Sequence, residues 1–168
     1  LAEDDILSKA RTLQHDGKYD EAIIAYKNYL SQPTDEDDMT KEEVVMYTDA
    51  LVQFMNAFQS KGQPEACVSA LQEIFKVSSA LQNDCIRDYY SVLGYALSRT
   101  EKMKEAEGAI LKAFTVPLRH ATPERYFRDY AYAAAVFYSN PNYQNEVIEW
   151  CEEALMQARL CNNTSGRQ

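Results

Sequence analysis

Apolar residues recur along this chain at the three- and four-residue spacing of amphipathic helices. The first forty residues contain two such helical periods, and Gly17 marks a tight turn between them. Together they predict a helical hairpin, two antiparallel helices joined by a short turn. Its first helix presents Ile6, Ala10 and Leu13 on one face, and its second presents Ala22, Tyr26, Tyr29 and Leu30.

The same pattern returns three more times along the chain. Matching first-helix positions recur at intervals of about 40 residues, at Ala10, Met55, Gly94 and Ala134. Matching second-helix positions keep nearly the same interval, at Ala22, Ala66, Ala106 and Val147. This near-constant spacing predicts four hairpins, at about 2–31, 40–81, 83–115 and 121–161, within a single repeat domain over 1–168.

A hairpin of this kind cannot bury both of its apolar faces alone, so successive copies are expected to stack. A small residue midway along the first helix lets the partner helix approach closely, while bulky residues fill the space between neighbouring hairpins. The sequence therefore predicts an all-α fold of about four stacked hairpins with a period of about 40 residues.

The residues at the turns and helix faces resemble the tetratricopeptide repeat. The resemblance is carried by the run 17–22 (Gly-Lys-Tyr-Asp-Glu-Ala) and by Tyr90-x-x-Leu93-Gly94-x-x-Leu97. The chain departs from the pattern at Glu73, where a small residue is usual, and its period exceeds the usual one of about 34 residues. The resemblance covers about residues 2–161 and implies a right-handed α-α superhelix that binds other polypeptides.

Capping signals agree with these boundaries. Thr40-Lys41-Glu42-Glu43 reads as a capping box, with Met39 and Val44 placed for a hydrophobic staple. Thr122 precedes a proline at a first helical position, and Asn83 or Asp84 could cap the third hairpin. The acidic stretch 32–38 is expected to be a solvated loop.

The charge balance narrows the range of partners. Seventeen Lys and Arg against 26 Asp and Glu give a formal net charge of −9. Such a surface repels phosphate backbones, so no nucleic-acid partner is expected. The longest apolar run, 131–138, is far shorter than the roughly 20 residues that span a bilayer.

The sequence contains no recognisable catalytic motif and no spacing typical of a metal site. We therefore expect no enzyme activity in this chain, no catalytic or metal-ligating residues and no cofactor. The four cysteines form no CxxC pair, which argues against zinc. A Cys67–Cys85 disulfide stays open as an alternative to two small apolar residues buried between helices.

In tetratricopeptide arrays the first helices line the concave face, where ligands usually lie. The resemblance therefore implies a ligand-binding face of mostly polar side chains, suited to an extended peptide whose carboxylate pairs with arginine. These positions equally fit solvent-facing side chains of an array whose partner lies elsewhere. The candidates are Arg11, Gln14, Asn56, Gln59, Tyr95, Ser98, Arg99 and Tyr138.

Degenerate, tyrosine-rich hairpins with a period of about 40 residues resemble the sensor regions of bacterial two-component histidine kinases. That resemblance implies an extracytoplasmic region of a membrane protein, anchored by a segment outside this chain, with a protein or peptide partner. The leucine at residue 1 fits a piece of a longer chain. The alternatives are a cytoplasmic tetratricopeptide adaptor and the regulatory domain of a transcription regulator, and self-association is a further option.

Overall fold

The computed structural model describes residues 2–32 and 39–165, and every regular element in these two ranges is helical. The acidic loop predicted over 32–38 lies outside them except for Gln32. The helices are α1 (Ala2–His15), α2 (Tyr19–Leu30), α3 (Lys41–Ser60), α4 (Pro64–Val77), α5 (Ser79–Gln82), α6 (Ile86–Ser98), α7 (Met103–Phe114), α8 (Pro123–Phe137) and α9 (Gln144–Ser165). A 3-10 turn, Pro141–Tyr143, precedes α9.

The long helices pair into four hairpins, which we number in chain order. Hairpin 1 is α1 and α2, hairpin 2 is α3 and α4, hairpin 3 is α6 and α7, and hairpin 4 is α8 and α9. The short helix α5 lies in the link between hairpins 2 and 3.

The hairpins stack one on the next in chain order. The second helix of each hairpin packs on the first helix of the following one, as α2 does on α3, α4 on α6 and α7 on α8. The first helices α3, α6 and α8 also pack on one another in sequence. The fold is therefore an all-α array of stacked helical hairpins, with the first helices together along one side.

The repeat positions on the first helices are buried where helices approach closely. Ala10 and Met55 are fully buried, and Ala134 is nearly so. At Gly94 a Cβ atom would lie only 2.8 Å from the side chain of Ile110 on α7. Glycine is therefore the residue that lets α6 and α7 reach their observed separation.

One repeat position predicted on the second helices is wrong. Ala66 is exposed, and the neighbouring Cys67 takes the buried position that Ala22, Ala106 and Val147 take in the other hairpins. The turn glycines explain the difference, because Gly17 and Gly62 both adopt a positive φ, of 78° and 67°. Ala22 and Cys67 each lie five residues after that glycine, so the turn sets the register.

Two of the three predicted caps are present. The Thr40 side chain accepts a hydrogen bond from the Glu43 N–H, and the Glu43 side chain accepts one from the Thr40 N–H. The Thr122 hydroxyl accepts from the Arg125 N–H. The third prediction is wrong, because α6 begins after Cys85 without a side-chain cap.

The residue expected to cap α6 has a different role. One Asp84 carboxylate oxygen accepts from the Met39 N–H at 2.9 Å, and the other accepts from the Arg119 guanidinium at 2.5 Å. Asp84 is buried, so it connects the start of hairpin 2 to the link between hairpins 3 and 4.

Of the two alternatives for Cys67 and Cys85, the structure shows small residues buried between helices and not a disulfide. Cys67 and Cys85 are buried free thiols, and Cys151 is an exposed one. Burial raises the pKa of both buried thiols to about 12.

Candidate functional site

The predicted ligand-binding residues lie along the first helices. Arg11 and Gln14 lie on α1, Asn56 and Gln59 on α3, Tyr95 and Ser98 on α6, with Arg99 directly after α6 and Tyr138 directly after α8. Because these helices lie side by side, the residues follow one another along the array rather than converging on a single point. We call this surface the first-helix face.

At its N-terminal part the first-helix face carries a small cleft between α1 and α3. The Arg11 guanidinium forms an ion pair of 3.2 Å with Asp49, and the Gln14 amide donates to the Gln53 side chain at 3.3 Å. The cleft has a volume of about 320 Å³ and is lined by Arg11, Gln14, His15, Asp49 and Gln53. Its walls therefore present charges, amides and an imidazole within one open depression.

A buried tyrosine orients one wall of this cleft. The Tyr26 hydroxyl donates a hydrogen bond of 2.7 Å to the Gln14 side-chain oxygen. That bond fixes the Gln14 amide so that its NH₂ group points toward α3. Burial raises the pKa of Tyr26 above its ordinary value.

The middle of the face holds an amide with unmet hydrogen-bonding capacity. The Nε2 atom of Gln59 is buried yet has no hydrogen-bond partner among the described residues. Asn56, one helical turn earlier, is half-buried. A buried polar group without a partner is costly, so the Gln59 side chain would be stabilised by turning its amide outward to an acceptor on a ligand.

Farther along the face, two of the predicted residues are already engaged with neighbours. Tyr95 stacks on Tyr132 of α8, with ring centroids 4.5 Å apart and planes inclined by 20°. The Ser98 hydroxyl donates to the Tyr95 carbonyl at 2.6 Å. These two residues shape the surface more than they offer free groups to a ligand.

Arg99 and Tyr138 differ from that pair because both side chains project into solvent. Tyr138 is 75% exposed, and Arg99 is exposed and forms no ion pair with a described residue. Of the two predicted arginines, Arg11 is therefore neutralised by Asp49, while Arg99 retains an available positive charge.

Sequence reasoning missed a buried cluster of four charged residues between hairpins 3 and 4. Arg87 of α6 pairs with Asp129 of α8 at 2.8 Å, and Arg125 of α8 pairs with Asp88 of α6 at 2.5 Å. We call these residues the charged quartet. Each helix contributes one arginine and one aspartate, so the charges of α6 and α8 balance within the cluster.

Backbone groups complete the coordination of the quartet. Arg87 donates to the Val116 carbonyl at 2.7 Å, and Arg125 donates to the carbonyls of Arg119 and His120. Desolvation by burial raises the pKa of Asp129, and the nearby Arg87 opposes that shift. The quartet therefore ties α6, α8 and the link before α8 into one unit, which is a structural role.

Two other features, a metal site and a membrane-spanning helix, are not found in the part of the chain that the structure describes. No cluster of three or more His, Cys, Asp or Glu side chains in 2–32 and 39–165 is placed to hold a metal ion. Within the same two ranges, no helix has the length and apolar character needed to cross a membrane.

A likeness to known proteins is found among solved structures. No model of a known protein family matches the chain, and no curated protein matches it. Among solved structures, it is similar to the crystal structure of the MamA protein, at 14% identity and a TM-score of 0.44. That match covers 94% of this chain and 92% of the MamA chain.

Proposed function

We propose that this chain is a non-catalytic binding module that holds a polypeptide segment against its first-helix face. The observation that carries the proposal is the buried, unpartnered amide nitrogen of Gln59 beside the half-buried Asn56. The carbonyl groups of an extended peptide are acceptors suited to such amides.

The charge distribution supports the same ligand. The chain as a whole carries a formal net charge of −9, yet Arg99 stands on this face without an acidic partner among the described residues. A carboxylate on the peptide would pair with its guanidinium. The exposed ring of Tyr138 adds an apolar surface with a polar tip at the far end of the face.

A pair of matched double variants tests the proposal. An unbiased library of linear peptides is screened against the wild-type chain, and the selected peptides are then titrated against Asn56→Ala/Arg99→Ala. Loss of an amide and a charged contact should weaken binding about tenfold or more. The control is Gln72→Ala/Lys76→Ala, which removes an exposed amide and cation from the second helix α4 and should bind like wild type. Equal affinity of a folded Asn56/Arg99 variant would contradict the assignment.

For the biological context, we propose the sensory or interaction region of a bacterial two-component histidine kinase. Support comes from the degenerate, tyrosine-rich hairpins with a period of about 40 residues. Ligand binding would change the packing of the hairpins and transmit that change to a membrane segment. Sequencing the complete gene tests this context, because it should encode a membrane span and a kinase core, and their absence would contradict it.

A second context is a cytoplasmic adaptor or regulatory domain, and one observation favours it. Cys67, Cys85 and Cys151 are free thiols, as is usual in a reducing compartment, whereas extracytoplasmic proteins tend to form disulfides. Counting alkylated thiols in the protein purified from its native host, with alkylation during lysis, distinguishes the two compartments. Complete alkylation of the cysteines supports the cytoplasmic context, and a disulfide supports the extracytoplasmic one.

A further inference from the structure

The two ends of the array carry surfaces that, inside the array, are buried between hairpins. The relation follows from the repeat register. On the second helices the eighth residue after each repeat position is bulky and apolar in every hairpin: Leu30, Phe75, Phe114 and Leu155. In hairpins 1 to 3 this residue is buried or half-buried, but Leu155 is 60% exposed.

Inside the array this residue packs against the next hairpin. Phe114 of hairpin 3 lies against two rings of hairpin 4, with its centroid 5.9 Å from Tyr130 and 5.6 Å from Trp150. Phe75 of hairpin 2 lies 6.2 Å from Tyr90 of hairpin 3. Leu155 thus has the position and character of a residue that enters the following hairpin.

The surface around Leu155 extends this pattern. Cys151 and Ile148 on α9 occupy the register positions of Ile110 and Glu107, and both are exposed. Phe127 on α8 occupies the position of Arg87, which faces hairpin 4 inside the array, and is 41% exposed. We call the surface formed by Phe127, Ile148, Cys151 and Leu155 the C-terminal end face.

The opposite end of the chain carries a matching groove. It lies between α1 and α2, has a volume of about 330 Å³, and its lining includes Ile6, Ile24, Ala25 and Asn28. In the register, Ile6 corresponds to Tyr130 and Ala25 corresponds to Trp150, the two residues that receive Phe114. Since smaller side chains replace the two rings, a space remains where an apolar side chain from a preceding hairpin would lie.

We propose that the chain associates with itself head to tail, with Leu155 of one copy entering the groove between Ile6 and Ala25 of the next. The occupant of each end face is then the opposite end of a second copy. The contact between two copies repeats the packing that already connects successive hairpins within one chain.

A polar contact accompanies the apolar one. Within the chain, Lys27 of hairpin 1 pairs with Glu73 of hairpin 2 at 3.0 Å. The register equivalents across the proposed joint are Glu152 of one copy and Asn28 of the next, a carboxylate acceptor opposite an amide donor. Asn28 lines the groove, which places the amide beside the entering leucine.

A head-to-tail contact uses two different surfaces, so it does not close on itself and produces a series of oligomers. Sedimentation velocity over rising protein concentration should show a weight-average mass that climbs from 19.2 kDa through dimers to larger species. A mass that stays at 19.2 kDa up to about 1 mM protein would overturn the proposal. Because copies with a formal charge of −9 repel one another, added salt should strengthen the association.

Single variants at each end test the surfaces separately. Leu155→Glu should weaken association by about tenfold or more, because a buried apolar contact is replaced by a charge. The matched control is Leu111→Glu on α7, which changes a partly exposed leucine away from both ends and should associate like wild type. If the two leucine variants behave alike, the end face is not the contact.

Mixing the two kinds of variant distinguishes head-to-tail from symmetric pairing. Ala25→Arg should block the groove, and Ile24→Arg, at a 62% exposed rim residue, provides a second blocked groove with less risk to folding. A mixture of Leu155→Glu with either groove variant should form a 1:1 dimer and nothing larger, since one intact tail and one intact groove remain. If groove variants alone oligomerise like wild type, the tails pair with each other and the proposal fails.

Discussion

The close approach of α6 and α7 at Gly94 is a direct consequence of the repeat pattern, and it predicts the effect of adding one methyl group. In Gly94→Ala the new Cβ would lie 2.8 Å from both Cγ1 and Cδ1 of Ile110 and 3.1 Å from the Ala106 carbonyl oxygen. Ile110 is buried, so its side chain has little room to move and the helices must separate.

The expected magnitude is the difference of two opposing contributions. Overpacking of a core by one methyl group lowers the free energy of unfolding by about 1–3 kcal/mol. Replacing glycine by alanine within a helix raises it by about 1 kcal/mol. The net change is a loss of up to about 2 kcal/mol of unfolding free energy. For a chain of this size that lowers Tm by up to roughly 8 °C.

A second glycine in the same hairpin serves as the control. Gly108 lies on α7, is exposed, and a Cβ there would meet nothing within 4 Å. Gly108→Ala should therefore gain about 1 kcal/mol from helix propensity alone and raise Tm by about 2–4 °C. Thermal unfolding followed by circular dichroism at 222 nm measures both. If Gly94→Ala raises Tm as much as Gly108→Ala, the two helices do not pack closely at this position.

Three other predictions address the charged quartet, the thiols and a helix cap. Asp88→Ala leaves Arg125 buried without its carboxylate and should lower the free energy of unfolding, measured by urea titration, by about 3–5 kcal/mol. Glu73→Ala removes an exposed ion pair and should lower it by less than about 1 kcal/mol. Equal losses in the two variants would contradict the burial of the quartet. Ellman's reagent at pH 8 should label Cys151 promptly, while the two buried cysteines, with pKa values of about 12, should react only on unfolding. Prompt labelling of three or more thiols in the folded protein would contradict the packing described for hairpins 2 and 3. Thr40→Ala should lose about 1 kcal/mol of unfolding free energy with the capping box, and an unchanged denaturation midpoint would show that the cap does not hold in solution.

The helical class and the repeat of hairpins could be predicted from the sequence because both depend on local periodicity. Ala10, Met55 and Gly94 stand one period apart, and each is buried at its helix crossing. The sequence pattern places Ala66 at the crossing because it follows a glutamate, as Ala22 does, but the distance from the turn decides the register. Gly62, with its positive φ, fixes where α4 begins and so places Cys67 at the crossing.

The contacts of the charged residues could not be predicted from the sequence as those of the apolar residues could. Burial of a charged side chain can be predicted only when its ion-pair partner is known. The partners of Arg87 and Asp88 both lie in the next hairpin, and a single sequence does not show that contact. The same holds for Arg11, whose pairing with Asp49 depends on the stacking of α1 against α3. The repeat register predicted which helices carry the candidate binding residues, but which of them are free to bind is set by contacts between hairpins.

The central claim, that a polypeptide binds along the first helices, is tested most directly by NMR titration. A peptide selected from the library is added to uniformly ¹⁵N-labelled protein, and the backbone amide shifts are followed residue by residue. The shifted amides should cluster on α1, α3, α6 and α8, with the largest changes near Asn56, Gln59 and Arg99. Shifts confined to the second helices α2, α4, α7 and α9 would contradict the claim.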